Sequence, residues 1–498
     1  MQRLSGMDAA FLYTETPTAH MHVVGTMILD PSTMPGGYSF EALRDRFLAR
    51  VLSIDIFRQR LLQVPFGLDH PRWVDDPTID PTEQVRRVGV PAPGGMREFG
   101  EQVSWIAGQH LDRERPLWEI WVLEGLEGGR VGIVFKVHHC MVDGSSGAAT
   151  MNRLFDLTPE GNDFTPASSE SHEPVPTLLG LLGTSAVAAV KRPVEVARTL
   201  FETATSAIPA LVRAVAGNDA GPGATMPFTT PRTSLSAALS SRREVAFGRA
   251  NFEDAKRVKT EFGVTINDVV LAACTQSLRR WLDARGELPD RPIVASVPVN
   301  IRPKDDAGDL GNRVSVMFVA LPVHLGERVA QLRFIHEDAA RSKRMHAEAG
   351  PSMISRWAGV APPYLMTAAA QMYSSLHLAD HHQPVHSLVI SNVAGPTCDL
   401  FAAGARVDAI YPLGPVMEGA ALNMTVFSNR GSLDLGVVAC PRTVSDVGDI
   451  AEGFTTALSE LVELADVARS RRRKGSAKSS AKISVVKPQA GSGRVSAA

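Results

Sequence analysis

Short apolar runs alternate along the chain with amphipathic stretches, a pattern that predicts strands interleaved with helices. In the first third of the chain, strands are predicted over 21–29 and 131–137 and helices over 40–50 and 97–109. The same rhythm resumes after Arg242. There the predicted strands cover 243–247, 293–299, 314–321, 387–391, 422–428 and 433–439, and helices start at 252 and cover 265–282, 327–345, 353–378 and 447–464. The pattern therefore indicates an α/β fold (α+β mixed sheets) covered by helices.

The rhythm breaks between residues 162 and 241, where Pro, Ser, Thr and Gly cluster around two apolar stretches at helical spacing, 178–190 and 194–215. These stretches fit either helices packed across the domains or interfacial helices facing lipid. A chain of 498 residues with 44% hydrophobic content is also too long for one core. We therefore predict an N-terminal domain over 1–161, a linker with apolar helices over 162–241, a C-terminal domain over 242–466 and a disordered basic tail over 467–498.

Charge is unevenly distributed. The formal net charge of −2 excludes a globally basic nucleic-acid-binding protein, so no nucleic-acid partner is expected. From Arg469 onward, however, the chain carries nine Lys or Arg residues and no acid. Such a tail is typical of a solvated segment, and it could equally contact anionic lipid.

The cysteine spacing and the N-terminus indicate a cytoplasmic protein. Cys140, Cys274, Cys398 and Cys440 form no CxxC pair, so neither a disulfide framework nor a zinc site is indicated. The N-terminus lacks the features of a signal peptide, and no apolar window reaches the roughly 18 residues of a spanning helix. We expect a protein that is soluble or associated with the inner face of the membrane or with lipid bodies.

The stretch Val131–Gly147, VGIVFKVHHCMVDGSSG, concentrates the candidate chemistry. An apolar strand runs into His138 and His139, and a polar turn with Asp143 follows. Strand alternation points neighbouring side chains in opposite directions, which disfavours a shared metal ion unless the strand breaks there. Two alternatives remain: a pair of hydrogen-bonded histidines at a strand end, or a histidine acting as general base near neutral pH.

Several stretches together resemble one family. The string HHCMVDG matches the HHxxxDG motif of CoA-dependent acyltransferases and of peptide-synthetase condensation domains. Other stretches are LSGMDAAFLYTE near the N-terminus, LDRERPLWE at 111–119, INDVVLA at 266–272, PVNIR at 298–302, GNR at 311–313 and SNVAGP at 391–396. From about residue 3 to residue 465 the chain resembles the bacterial wax ester synthase/acyl-CoA:diacylglycerol acyltransferase family.

The resemblance implies two domains like chloramphenicol acetyltransferase, with a tunnel between them in which an acyl group passes from acyl-CoA to diacylglycerol or a fatty alcohol. It implies that His139 is the general base and that His138 faces the other way and orients the loop. Asp143 would hold the loop through an ion pair, for which Arg58 is our candidate partner. Gly144 would leave room for the pantetheine arm. No cofactor or metal ion is expected.

Further candidates lie outside the motif. Asn267 is a candidate donor to the oxyanion, or alternatively a helix cap, and Ser391 and Asn392 are weaker candidate donors. Pro116, Leu117 and Trp118 could line an acyl channel or simply pack in the core. The remaining histidine cluster is expected at the surface; it comprises His381, His382 and His386.

Two other functions fit the same motifs. One is condensation of carrier-bound groups, which the absence of carrier and adenylation domains from this chain disfavours. The other is a catalytically silent lipid-binding protein, which the intact His139 disfavours. Neither the acceptor preference, nor the acyl chain length, nor the oligomeric state follows from the sequence.

Overall fold

A computed structural model of the protein describes residues 2–75, 80–141, 153–161, 225–300, 314–349 and 363–483. The predicted linker helices over 178–190 and 194–215 lie outside these residues, as do Asp143 and Gly144 of the motif. Elements are numbered in chain order. The strands are β1 Gln2–Arg3, β2 His22–Asp30, β3 Gln59–Leu62, β4 Arg72–Asp75, β5 Val85–Gly89, β6 Trp118–Glu124, β7 Val131–His138, β8 Glu244–Asn251, β9 Ile293–Asn300, β10 Val314–Leu321, β11 Leu388–Val393, β12 Phe401–Ala402, β13 Ala405–Leu413, β14 Leu422–Asn429 and β15 Ser432–Ala439. The helices are α1 Gly6–Thr14, α2 Phe40–Leu52, α3 Met96–Ala107, α4 Phe252–Phe262, α5 Ile266–Asp283, α6 Arg328–Ala349, α7 Pro363–Ser375 and α8 Val447–Ile483.

The motif strand β7 lies inside a six-stranded mixed sheet of order β12-β13-β2-β7-β6-β5. It is antiparallel to both neighbours, with His138 opposite His22 on β2 and Val137 opposite Trp118 on β6. Every residue of β7 is buried. Strands β12 and β13 of this sheet come from the second half of the chain and pair with each other, and β13 also pairs with β2. The first sheet therefore includes a hairpin that the sequence assigned to the C-terminal domain.

The second half forms its own six-stranded mixed sheet, of order β10-β9-β11-β14-β15-β8. The two sheets meet where β13 approaches β15. A Cβ atom on Gly436 of β15 would overlap the carbonyl oxygen of Pro412 on β13, so only glycine allows the backbones to come this close. The close approach joins the two sheets, because β13 belongs to the first and β15 to the second.

Apolar alternation explains how the first sheet is packed. Val24 and Val134 point into a core shared with α3 and with the second half of the chain. Met27 and Ile133, which lie an odd number of positions from Val24 and Val134, point into a second core beneath α1 and α2. Because both faces are covered, every residue of β7 is buried, including Lys136, whose ammonium forms an ion pair with Glu119 on β6.

The last helix differs from the prediction. α8 continues to Ile483, so the expectation of disorder from residue 467 is wrong up to that point, and residues 484–498 lie outside the described part. Buried residues at helical spacing, including Phe454 and Leu461, dock α8 on α5 and β8. The Ala, Arg and Lys residues that follow favour a helix once it has started, and Arg472 adds an ion pair with Glu261 on α4.

Among the described residues, none of the helices combines the length and apolar character that crossing a membrane requires.

Candidate active site

The backbone of the two motif histidines is fixed from both sides. The N–H of His138 donates to the carbonyl of Leu117 and that of His139 to the carbonyl of Met21, each at 2.9 Å. β7 ends at His138, and His139 begins a 3₁₀ turn over His139–Met141. The catalytic candidates therefore lie at the point where a rigid, fully buried strand breaks.

His139 lies in an apolar environment. Its imidazole stacks on the ring of Phe11 in α1, with ring centroids 3.9 Å apart and planes inclined by 19°. Burial lowers the pKa of His139 to about 4, so its imidazole is neutral at pH 7 and able to accept a proton. Within the described residues, Nδ1 of this ring is buried without a hydrogen-bond partner.

His138 has different partners. Its Nδ1 accepts a hydrogen bond from the backbone N–H of Cys140 at 3.1 Å, and its Nε2 lies 3.4 Å from a carboxylate oxygen of Glu15. Burial raises the pKa of the Cys140 thiol well above its ordinary value, which disfavours this cysteine as a nucleophile. The two histidines are thus chemically distinct, one held by polar groups and the other by an aromatic face.

The proposed support by Asp143 stays a prediction, because Asp143 and Gly144 lie outside the described residues. Its candidate partner Arg58 donates to the carbonyl of Leu52 at 2.6 Å and to Asp55 at 2.7 Å. The guanidinium of Arg58 therefore already has two local acceptors.

In the second half of the chain, two of the predicted side chains lie together. Asn392 on β11 donates from its amide to the side-chain oxygen of Asn267 on α5, at 3.4 Å. The helix-cap alternative for Asn267 is wrong: the cap is Thr265, whose hydroxyl and backbone N–H exchange hydrogen bonds with Asp268. Asn267 is thus half-buried without a capping role, and Ser391 lies beside Asn392 on the same strand.

The PLW segment is part of the core. Leu117 and Trp118 are 0% exposed, and the indole N–H of Trp118 donates to the carbonyl of Phe57 at 2.9 Å. The Trp118 ring makes edge-to-face contacts with Phe57 and Phe135. The structure therefore gives Leu117 and Trp118 the packing alternative, in which they support the motif strand together with Pro116, whose carbonyl accepts from Gln84.

A polar cluster behind the motif strand, buried except for His110, was not anticipated. It contains Glu15 and three further histidines, His20, His22 and His110, whose rings lie 4.1 to 6.3 Å apart. His20 and His22 also line a small cavity between the first sheet and residues of the second half of the chain, among them Arg243 and Leu413. One feature of the sequence indicated that Glu15 has a role: the N-terminal stretch that resembles the family, LSGMDAAFLYTE, ends at this residue.

The other histidine cluster needs one correction. His381 is exposed as expected, but both ring nitrogens of His386 are buried without a partner among the described residues, and burial lowers its pKa to about 4. In the described part of the chain, no group of three or more His, Cys, Asp or Glu residues is arranged to hold a metal ion.

Sequence comparison supplies the family. Residues 4–270 match the wax ester synthase/diacylglycerol acyltransferase catalytic domain, and residues 310–462 match the C-terminal domain of the same family. The chain belongs to this family. The identification made from HHxxxDG and its companion stretches is therefore confirmed, and this WS/DGAT-family protein is an acyltransferase.

Individual relatives agree. A protein of Mycobacterium tuberculosis (strain CDC 1551 / Oshkosh) that bears the name of a diacylglycerol O-acyltransferase is 38% identical over 467 residues, which cover 94% of this chain and 91% of that protein. The solved wax ester synthase/diacylglycerol acyltransferase from Marinobacter aquaeolei VT8 is 25% identical with a TM-score of 0.68, covering 94% of this chain and all of that one.

The fold extends to more distant proteins. The first condensation domain of the calcium-dependent antibiotic synthetase matches with a TM-score of 0.53 at 16% identity, covering 93% of this chain and 96% of that one. At this identity the likeness concerns the fold alone, and it confirms the expected two-domain α/β architecture.

Proposed function

We propose that this acyltransferase moves a long-chain acyl group from acyl-CoA to the free hydroxyl of diacylglycerol, with His139 as the general base. The observation that supports the proposal most directly is the placement of the His139 imidazole at the broken end of β7, where it stacks on Phe11. A neutral imidazole is the form that accepts a proton from a hydroxyl.

The reaction follows from these groups. His139 takes the hydroxyl proton while the acceptor oxygen attacks the thioester carbonyl, a contribution of about 10²–10⁴ in rate. The carbonyl oxygen becomes an oxyanion, for which the side-chain amide of Asn267 is our proposed donor. Collapse of the tetrahedral intermediate breaks the C–S bond, and the CoA thiolate leaves with the proton from His139. The products are an ester and free CoA, and we expect the reaction to need no metal or other cofactor.

The acceptor is proposed from the relatives. The Mycobacterium tuberculosis protein at 38% identity is named for diacylglycerol, whereas the Marinobacter protein at 25% is named for both activities. Diacylglycerol is therefore the first acceptor in this proposal. A long-chain fatty alcohol is the second.

Such substrates reside in membranes and lipid droplets, and we propose that the protein associates with their surface. Helix α7 contains no charged residue, and its apolar side chains at positions 364, 365 and 372 are more than half exposed, as is Leu376 just beyond it. An exposed apolar helix face of this kind favours contact with lipid.

The test is to incubate the purified protein with labelled palmitoyl-CoA and either diolein or hexadecanol, and to separate the lipid products. We expect labelled triacylglycerol to form faster than wax ester. Faster wax ester formation would assign a fatty alcohol as acceptor. If neither ester forms while palmitoyl-CoA or diolein still binds, the protein is a lipid-binding relative and the proposal is wrong.

A further inference from the structure

One helix contacts both histidines of the motif. Phe11, in α1, stacks on the ring of His139, and Glu15, the residue after the helix, approaches the ring of His138. The two side chains are four residues apart, the spacing that brings neighbours onto one face of a helix. The N-terminal segment therefore contacts the two adjacent imidazoles through different groups. The Phe11 ring stacks on His139, and the Glu15 carboxylate lies beside His138.

Glu15 is buried but well supplied with donors. Arg113 forms an ion pair with it, His110 lies 3.2 Å from its other oxygen, and Nε2 of His138 lies at 3.4 Å. Burial opposes ionisation of this carboxyl, but the contacts with His110, His138 and Arg113 hold its pKa well below its ordinary value. Glu15 is thus a carboxylate, which accepts protons in hydrogen bonds and donates none.

The hydrogen bond on the other side of His138 determines where the ring proton lies. Because the backbone N–H of Cys140 is a donor, Nδ1 of His138 must be the unprotonated nitrogen, and the proton of the neutral ring then lies on Nε2, facing Glu15. In the opposite tautomer, Nδ1–H would face the Cys140 N–H and a bare Nε2 would face the carboxylate. The carboxylate therefore favours one tautomer.

This tautomer matters because it allows His138 to accept the hydrogen bond from the backbone of Cys140. The contact from the His138 side chain to the Cys140 backbone spans His139, so it fixes the first bend of the turn that orients the His139 ring. We propose that Glu15 is a positioning residue for acyl transfer: its carboxylate, 3.4 Å from Nε2 of His138, favours a proton on that nitrogen, keeps Nδ1 as acceptor for Cys140, and so orients the base. This inference rests on the proposed role of His139.

The test compares kcat of Glu15→Gln with that of a matched control, Glu83→Gln. Glu83 forms an ion pair with Arg115 at 2.6 Å at the surface. Arg115 is two residues from Arg113, the arginine that pairs with Glu15, so both variants remove the charge of a glutamate that pairs with an arginine of the same segment. We expect Glu15→Gln to lower kcat about 10- to 100-fold, the range typical of groups that orient a functional histidine, with little change in KM for palmitoyl-CoA. Glu83→Gln should match the wild type.

Two substitutions of His138 separate positioning from folding. In His138→Asn the amide oxygen replaces Nδ1 as acceptor for Cys140, whereas His138→Gln extends towards Glu15 and loses that acceptor. We therefore expect His138→Asn to keep more activity than His138→Gln. We also expect Glu15→Gln to cause no further loss of kcat in the His138→Asn background, because the turn no longer depends on the carboxylate.

The outcomes are distinct. An equal loss from Glu15→Gln in the wild-type and His138→Asn backgrounds would mean that Glu15 does not act through His138, and the inference would be wrong. The same conclusion follows if ¹⁵N chemical shifts of the wild-type protein show a proton on Nδ1 of His138, a measurement that requires no variant. If instead His139→Ala retains full activity, the proposed function fails and not only this inference.

Discussion

The ring of Phe11 lies almost parallel to the imidazole of His139, at a centroid distance of 3.9 Å. This contact orients the imidazole without occupying either nitrogen, so both the lone pair and the N–H remain available for chemistry. It also covers one face of the ring and lowers the local exposure to water, which helps to keep the base neutral.

Replacing Phe11 with leucine should lower activity more than stability. An aromatic stack is worth about 0.5–1.5 kcal/mol beyond its buried area, so we expect kcat to fall by up to about tenfold, and Phe11→Tyr to restore most of it. Phe40→Leu is the matched control, because the Phe40 ring lies against the guanidinium groups of Arg44 and Arg87 and not against an imidazole of the motif. Wild-type kcat in Phe11→Leu would show that the stack does not orient the base.

Asn267 and Thr265 should have opposite phenotypes. Thr265→Ala removes the cap of α5 and should cost about 1 kcal/mol in the free energy of unfolding, with kcat unchanged. Asn267→Ala leaves the cap intact and should lower kcat about 10²–10³-fold, the loss typical of an oxyanion donor, with little effect on stability. Urea unfolding and steady-state kinetics on both variants check this. A loss of stability without loss of rate in Asn267→Ala would assign it a structural role.

Stability should fall as the pH is lowered from about 6.5 to about 4. Burial lowers the pKa of His20 to about 3 and those of His139 and His386 to about 4, from an ordinary value of 6.5. Between these values the unfolded chain binds protons that the folded protein does not, so acid favours unfolding. The urea midpoint should therefore be lower at pH 5 than at pH 7.

His386 allows that pH dependence to be tested away from the active site. Both of its ring nitrogens are buried and, within the described residues, unpartnered, so His386→Leu removes a group that the folded state cannot protonate. We expect this variant to lose less stability than the wild type between pH 7 and pH 5. A pH dependence as steep as that of the wild type would contradict the assignment.

Much of the fold could be predicted because local pattern determined it. Strands such as β7 and β10 and helices such as α2 and α5 lie within a few residues of their predicted bounds, since apolar periodicity and caps act over short distances. The hairpin of β12 and β13 was not predicted. Its partner β2 lies nearly 380 residues earlier at the pair Arg406–Asp30, and no local signal encodes so distant a pairing.

In the candidate site too, the sequence located some residues, whereas the contacts between them depend on tertiary packing. The motif located His138 and His139, but the strand break between them, and hence their different partners, depends on contacts with Leu117 and Met21 on either side. Glu15 and Phe11 could not be assigned roles because their function arises only when α1 packs over the end of β7. Trp118 was ambiguous because packing and channel lining require the same apolar residue.

The most direct test of the account is the rate of ester formation by His139→Ala, measured with palmitoyl-CoA and diolein. His381→Ala is the matched control, because His381 is an exposed histidine outside the site. We predict that His139→Ala lowers kcat about 10²–10⁴-fold while its urea midpoint at pH 7 stays near that of the wild type, and that His381→Ala keeps full activity. A His139→Ala variant that is folded and forms triacylglycerol at the wild-type rate would contradict the assignment of this residue as the base.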